Sequence, residues 1–275
     1  MNTSGTAYTI VFSAIICGIC SIFVSGSAVG LKERQDFNAK LDKERKVLQA
    51  VGLADASTEP TQVTSLYAER VTAKVVNLAA GKAAEGVDVA SFDQLKARKD
   101  PSTSSEPEND PAKVGRVPNN AKIYLVRGEK GGAVTKLVLP VEGKGLWSTL
   151  YGFLAMEVGD LNTIRGLIFY QHGETPGLGG EVDSARFRGA WKKGIKAFAR
   201  GPGSEIKVKV LKAGTPISQP THQVDGLSGA TITTTGVSNT LQFWLGDEGF
   251  GPTLENFKVE FGADLVAAPA GTEGT

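Results

Sequence analysis

The sequence predicts a single N-terminal transmembrane helix followed by a mixed α+β domain, and three observations carry that reading. The first 31 of 275 residues contain no Asp, Glu, Lys or Arg, so the chain opens on a stretch with no charge to solvate. The remainder alternates short β-like runs with amphipathic segments and Gly-rich turns, and no internal repeat is evident. Its charges nearly cancel, 30 Lys plus Arg against 29 Asp plus Glu, which removes the basic excess expected of a nucleic-acid binder.

The anchor comes first. From Tyr8 to Leu31 the residues are apolar or are Ser, Thr and Gly, whose polar groups fold back onto a helix backbone. At about 1.5 Å per residue this run spans roughly 36 Å, enough to cross the ~30 Å hydrocarbon core of a bilayer. A cleaved signal peptide is the rival, since Ser25 to Ala28 are small, but no positively charged segment precedes the apolar run. Gly26 and Gly30 form a G-x-x-x-G pair suited to close packing against other membrane helices. Cys17 and Cys20, the only cysteines, lie inside this run, where they read as small apolar residues rather than a metal or redox pair. A redox role for the rest of the chain would therefore need a cofactor. Lys32, Arg34, Lys40, Lys43, Arg45 and Lys46 follow the helix and none precedes it, so charge alone leans toward a cytoplasmic domain.

Residues 1–35 are thus assigned to the anchor, 36–120 to a helical segment and a Pro/Ser/Glu-rich linker, 121–262 to the main domain, and 263–275 to a disordered tail. Phe37 to Val51 reads as a helix ended by Gly52, and Val63 to Leu78 as a second helix with Leu66, Val71, Val75 and Leu78 on its stripe. Ala97 to Asn120, with Pro101, Pro107, Pro111 and Pro118, reads as a surface loop or linker. Strands are expected at Lys122 to Val126, Ala133 to Val141, Thr163 to Tyr170 and Glu205 to Leu211. Helices are expected at Ser184 to Ala199 and Val237 to Leu245.

The two histidines mark the two segments that invite chemistry. His172 opens a tract with four glycines in nine residues, which permits close backbone approach to a planar ligand and equally suits a plain turn. His222 opens the tract His222-Gln-Val-Asp225-Gly-Leu-Ser228-Gly229-Ala230-Thr231-Ile-Thr233. A hydrolase reading would take Ser228, His222 and Asp225 as a triad. The tract departs from G-x-S-x-G at Ala230 and follows a polar stretch containing Pro220 rather than a strand, so this reading is poor.

Asp225-Gly-Leu-Ser-Gly-Ala-Thr231 matches the flavinylation motif Asp-x-x-Ser/Thr-Gly-Ala-Ser/Thr of the covalent FMN-binding domain family. Four further tracts extend the match in order: AVGLKERQ after the apolar helix, GKGLWSTLYGFLA from Gly143, HGETPGLGGEV from His172 and WLGDEGFGP from Trp244. Together they resemble the C subunits of the sodium-translocating NADH:quinone reductases. The G subunit of Rnf-type electron-transport complexes shares the anchor and motif, and a cofactor-free periplasmic binding or scaffolding domain is the remaining alternative.

The resemblance implies an FMN joined by a phosphodiester to Thr231, installed by a separate flavin transferase that uses FAD and Mg²⁺. It implies a bacterial inner-membrane protein with a periplasmic domain, against the charge count, which long domains override. It implies no active site of its own, no metal, and single-electron relay between an iron–sulfur centre and a flavin held by other membrane subunits. Residues flanking the acceptor, Gly229 and Ala230, belong to the implied cofactor site. Ser228 and Thr233 are expected as phosphate or ribityl partners, and Asp225 as an element of transferase recognition or turn geometry. Glu174, Thr175, Gly177, Leu178 and Gly179 are expected beside the ring, with Leu146 and Trp147 adding apolar surface and His222 shielding it. Simple core packing is the alternative for Trp147.

Overall fold

The structure, a computed structural model, describes residues 5–266 and comprises two units, Met1–Lys43 and Glu44–Thr275. Helix α1 (Thr6–Ala50) is continuous over 45 residues, about 68 Å at the standard rise. It runs through Ser25 to Ala28 without interruption. In the first unit Ile10, Phe12, Ile15, Ile19, Ile22, Phe23 and Val29 are exposed around the helix, a side-chain set that water would not favour and a bilayer would. The C-terminus of α1 closes as the sequence suggests: Gly52 adopts φ +78, and the N–H groups of Gly52 and Leu53 return to the carbonyls of Gln49 and Leu48. That pair of bonds is a Schellman motif, in which a residue without Cβ takes the left-handed position.

The second unit is built on an antiparallel sheet. Its strands are β1 (Val71–Asn77), β2 (Lys82–Ala83), β3 (Asn120–Arg127), β4 (Val134–Lys144), β5 (Thr149–Glu157), β6 (Thr163–Gln171) and β7 (Ile195–Lys196), ordered β2-β1-β3-β4-β5-β6-β7. Strand alternation splits the apolar residues between two faces. Tyr124, Val126, Val138, Phe153, Ala155 and Ile168 pack with Val47 and Ala50 from the end of α1. Their neighbours Ile123, Leu125, Leu137, Leu139, Leu154, Leu167 and Phe169 face the larger core. That core is completed by α4 (Ala185–Trp191), α5 (Thr231–Leu245) and α6 (Gly251–Leu265), through Phe187, Val237, Leu241, Trp244, Leu254 and Phe257. A sheet covered on both sides explains why Leu137 to Val141 is continuously apolar rather than alternating.

Several expectations are corrected. The segment Val63 to Leu78 divides into α2 (Pro60–Arg70) and β1, because Val71 and Val75 lie four apart, a spacing that a strand face satisfies as well as a helix face. Seven residues of β1 pair with β3, so the expected boundary at 120/121 cuts through the sheet. The 97–120 segment is built into the unit: it contains the end of α3 (Gln94–Lys99), and Ser104 and Ser105 pair with Pro118 and Val117. The helix expected to reach Ala199 stops at Trp191, and α5 begins at Thr231, six residues before the expected start. Of Glu205 to Leu211 only Lys209 and Val210 form a strand, parallel to Gln223 and Val224. Helix α6 has no counterpart among the expected elements and includes Ala263 to Leu265; the rest of the expected tail, residues 267–275, lies outside the described residues.

One buried ion pair ties the 97–120 segment to the sheet. Arg98 Nη1 lies 2.5 Å from Glu142 Oε2, and the Glu142 side chain is only 5% exposed. Burial pushes the Glu142 carboxyl up, and the Arg98 guanidinium opposes that shift. Removing one member of such a pair strands the other's charge. We expect Arg98→Met to lower the unfolding free energy by about 3–5 kcal/mol at neutral pH, and Arg98→Met/Glu142→Gln to recover most of it. Denaturant titration of the three proteins checks this, and an equally unstable double variant would refute it.

Candidate functional site

The motif residues form a tight turn that opens α5. Ala230 N–H bonds Leu227 O at 3.2 Å, Leu227 N–H bonds Thr234 Oγ1 at 3.0 Å, and the first helical bond runs from Thr234 N–H to Ala230 O. Thr231 is therefore the first residue of α5, and Ala230 occupies the N-cap, where no side chain accepts a bond. Alanine is a poor N-cap, about 1 kcal/mol worse than Ser, Thr, Asp or Asn. The backbone N–H groups of Thr231, Ile232 and Thr233 go uncapped, a local arrangement that favours an anion. The Thr231 side chain is exposed beside them.

Glu174 holds this turn against a second loop. Its carboxylate accepts from the N–H groups of Leu146, Trp147 and Ser148 at 3.1, 2.9 and 3.1 Å, and from the Thr233 hydroxyl at 2.6 Å. Burial pushes this carboxyl up, but the Thr233 hydroxyl and the three N–H groups outweigh it and hold it below the usual glutamate value. The approach demands glycine on both sides: a Cβ on Gly145 or on Gly179 would lie 2.7 Å from a Glu174 oxygen. Behind the carboxylate, Glu174 N–H bonds His172 Nδ1 at 3.3 Å, while His172 Nε2 lies 3.0 Å from Asp183 Oδ2.

Around the turn, apolar side chains stand in solvent. Trp147 is 67% exposed, Ile232 58%, Leu178 45% and Leu146 44%. Leu178 lies over the motif, since its Cδ2 would be 2.9 Å from a Cβ on Gly229. Thr175 O accepts from the N–H groups of Leu178 and Gly180, which sets the loop through Gly177 that presents Leu178. Trp147 is therefore not a core residue.

The site differs from expectation at three residues. Glu174 spends its carboxylate on the chain, as a clasp between two loops. Thr233 is 1% exposed with its hydroxyl committed to Glu174, whereas Ser228, three residues before Thr231, is exposed. His222 commits its ring elsewhere: its Nδ1 lies 2.9 Å from Lys196 O, and Lys196 pairs with Thr163 at the start of β6. With Asp225 bonded to Arg186 at 2.7 Å, no Ser228–His222–Asp225 triad exists. Sequence reasoning missed Ile232, Gly145, Ser148 and Arg186; Ile232 and Gly145 stood inside tracts already singled out, whereas Arg186 gave no local signal. Asp225, Gly226, Leu227 and Ser228 line a cavity of about 460 Å³ with Arg186 and Phe187.

The clasp has a pH signature. A carboxyl lowered on folding stabilises above its ordinary value of 4.5 and loses that contribution as pH falls further. We expect Glu174→Gln to cost about 2–4 kcal/mol at neutral pH, with the difference from wild type shrinking in acid. Denaturant titration across pH checks this; a pH-independent difference would rule out the charged form.

Comparison with known proteins places these features. The family model for the FMN-binding domain matches residues 145–246, which take in the loop at Leu146, the clasp and the motif. The C subunit of the Na(+)-translocating NADH-quinone reductase of Pseudomonas aeruginosa is 43% identical over 261 residues, covering 94% of this chain and 98% of that protein. Its counterpart in Vibrio parahaemolyticus is 45% identical over 242 residues, covering 86% and 89%. The crystal structure of Shewanella oneidensis NqrC superposes with a TM-score of 0.71 at 34% identity, covering 80% of this chain and 99% of that one. With its apolar anchor helix and its FMN-binding domain, the chain belongs to the family of C subunits of the Na(+)-translocating NADH-quinone reductase, a membrane-bound oxidoreductase complex.

Proposed function

We propose that Thr231 carries an FMN through a phosphodiester and that the domain relays single electrons between redox centres borne by other subunits. The observation that supports this best is the position of Thr231: an exposed hydroxyl at the first residue of an uncapped helix, within the flavinylation motif. A phosphate on Thr231 Oγ1 would meet the uncapped N–H groups of the first turn and the positive end of the helix dipole, with the Ser228 hydroxyl close by in sequence. Leu146, Trp147, Leu178 and Ile232 supply the apolar surface that a planar ring needs, and their exposure in the bare chain fits such a partner. When bound, FMN supplies the one-electron redox chemistry. The chain's own part is to fix the phosphate, shield one side of the ring and hold the two loops at constant spacing through Glu174.

Asp225 faces Arg186, so the motif carboxylate is not aimed at the phosphate. We assign it to recognition by the flavin transferase, which would move the FMN moiety of FAD to the Thr231 hydroxyl. The proposed place of the domain is the periplasmic side, between an iron–sulfur centre and a flavin elsewhere in the complex.

Two measurements test this reading. After coexpression with a flavin transferase, intact mass and fluorescence on a denaturing gel should show one FMN moiety on the wild type and none on Thr231→Ala. No adduct on wild type, with the transferase active on a control substrate, would overturn the assignment. For orientation, Gln62 on α2 is exposed, and the second unit contains no cysteine. A Gln62→Cys variant lacking Cys17 and Cys20 should react with a membrane-impermeant maleimide in intact spheroplasts. Labelling only after lysis would place the domain in the cytoplasm.

A further inference from the structure

Helix α4 borders two concavities. Arg186, Phe187 and Ala190 line the cavity beside the motif, whereas Ala185, Arg188 and Lys192 line a separate groove of about 820 Å³. The floor and rim of that groove come from β4, β6 and residues 49–58, which run from the last residues of α1 through the Schellman turn and beyond it. We propose that this groove docks an acidic, partly apolar segment of a neighbouring subunit of the complex. The inference rests on membership of a multi-subunit assembly and is independent of the flavin assignment.

Charge is the first argument. Lys136, Arg165, Arg188 and Lys192 line the groove, and Asp55 is the acidic residue of the lining. Lys136 and Arg165 share a single carboxylate, Glu157, at 3.1 and 2.8 Å. The Asp55 carboxylate is taken by Ser57 and Thr58. Arg188 and Lys192 have no acidic partner among the described residues. They stand four apart, Arg188 on α4 and Lys192 at its C-cap, a like-charge pair about one helical turn apart.

The second argument is the free end of Arg188. Its Nε is sealed from solvent and out of reach of any outside group, but Nη1 and Nη2 are not among the sealed atoms and bond nothing among the described residues, which leaves them for a carboxylate entering the groove. Size narrows the ligand. An inorganic anion is only a few water volumes across, at about 30 Å³ each, and would leave most of the groove empty. The wall formed by Val51, Leu53, Ala54 and Ala56 gives apolar side chains a surface alongside the cations. A peptide segment bearing Asp or Glu next to apolar residues satisfies both features.

The test uses the assembled complex in detergent, carrying either the wild-type chain or Lys192→Glu. Zero-length carbodiimide coupling joins a carboxyl to a lysine amine only at contact distance, and peptide mass spectrometry identifies the pair. We expect an amide between Lys192 or Lys136 and an Asp or Glu of another subunit. Retention of the chain in the complex at raised salt should fall about tenfold in Lys192→Glu. Because Lys192 is exposed, this variant should fold, and Arg188→Gln with unchanged thermal stability of the isolated chain serves as the second variant. The coupling should persist in a Thr231→Ala complex, which separates this proposal from the flavin assignment. Coupling only within the chain or to another copy of it, or wild-type retention of both variants, would overturn the proposal.

Discussion

The carboxylate of Glu174 gathers four donors from two elements that are far apart along the chain: three consecutive backbone N–H groups at Leu146, Trp147 and Ser148, and the hydroxyl of Thr233. Without it, the loop between β4 and β5 would have three amides to satisfy in a partly buried place and no acceptor at hand. The first turn of α5 would also lose its link to the Gly-rich segment after β6. Everything exposed at the site is carried by these pieces: Leu146 and Trp147 on one, Leu178 on the second, Thr231 and Ile232 on the third. Their mutual spacing follows from one ionised group.

That group also shapes the electrostatics. A helix N-terminus carries a partial positive charge, and Glu174 reaches it only through the Thr233 side chain. The uncapped N–H groups of the first turn are left for another anion. The chain's own negative charge is buried and locked, while the first turn at Thr231 and Ile232 is open to solvent. Asp225, the carboxylate of the motif, is drawn off by Arg186. Crowding of like charge is thereby reduced at the place where a phosphate would have to sit.

Much of this was legible from residues alone, and the limits have physical causes. A charge-free run announces a membrane helix because solvation of charge dominates there. The strands at Lys122, Ala133 and Thr163 announce themselves by β-branched content, and the motif by its pattern. Strand β1 hid because Val71 and Val75 are compatible with either period, and only the ladder with β3 decides between them. The order in 97–120 hid because it rests on Arg98 meeting Glu142, 44 residues away. For the same reason Glu174 read as a ligand neighbour: its partners are 26 to 59 residues distant, and a carboxylate's partners leave no trace in its local sequence. Ala230 at the N-cap is the opposite case, a residue that breaks a local rule where the proposed function needs the cap position left free.

The close approach of Gly145 and Gly179 to the Glu174 oxygens has a consequence for how the site can change over generations. Shortening Glu174 would orphan the amides, lengthening either glycine would push the carboxylate out, and neither error is repaired by altering the other residue alone. The three positions form one inherited unit, and a lineage could leave it only by several substitutions at once. Ile232 and Leu178 lie outside that lock and outside the fixed positions of the motif, with exposed side chains. Divergence in how the site meets its ligand should accumulate on that rim while the clasp stays still.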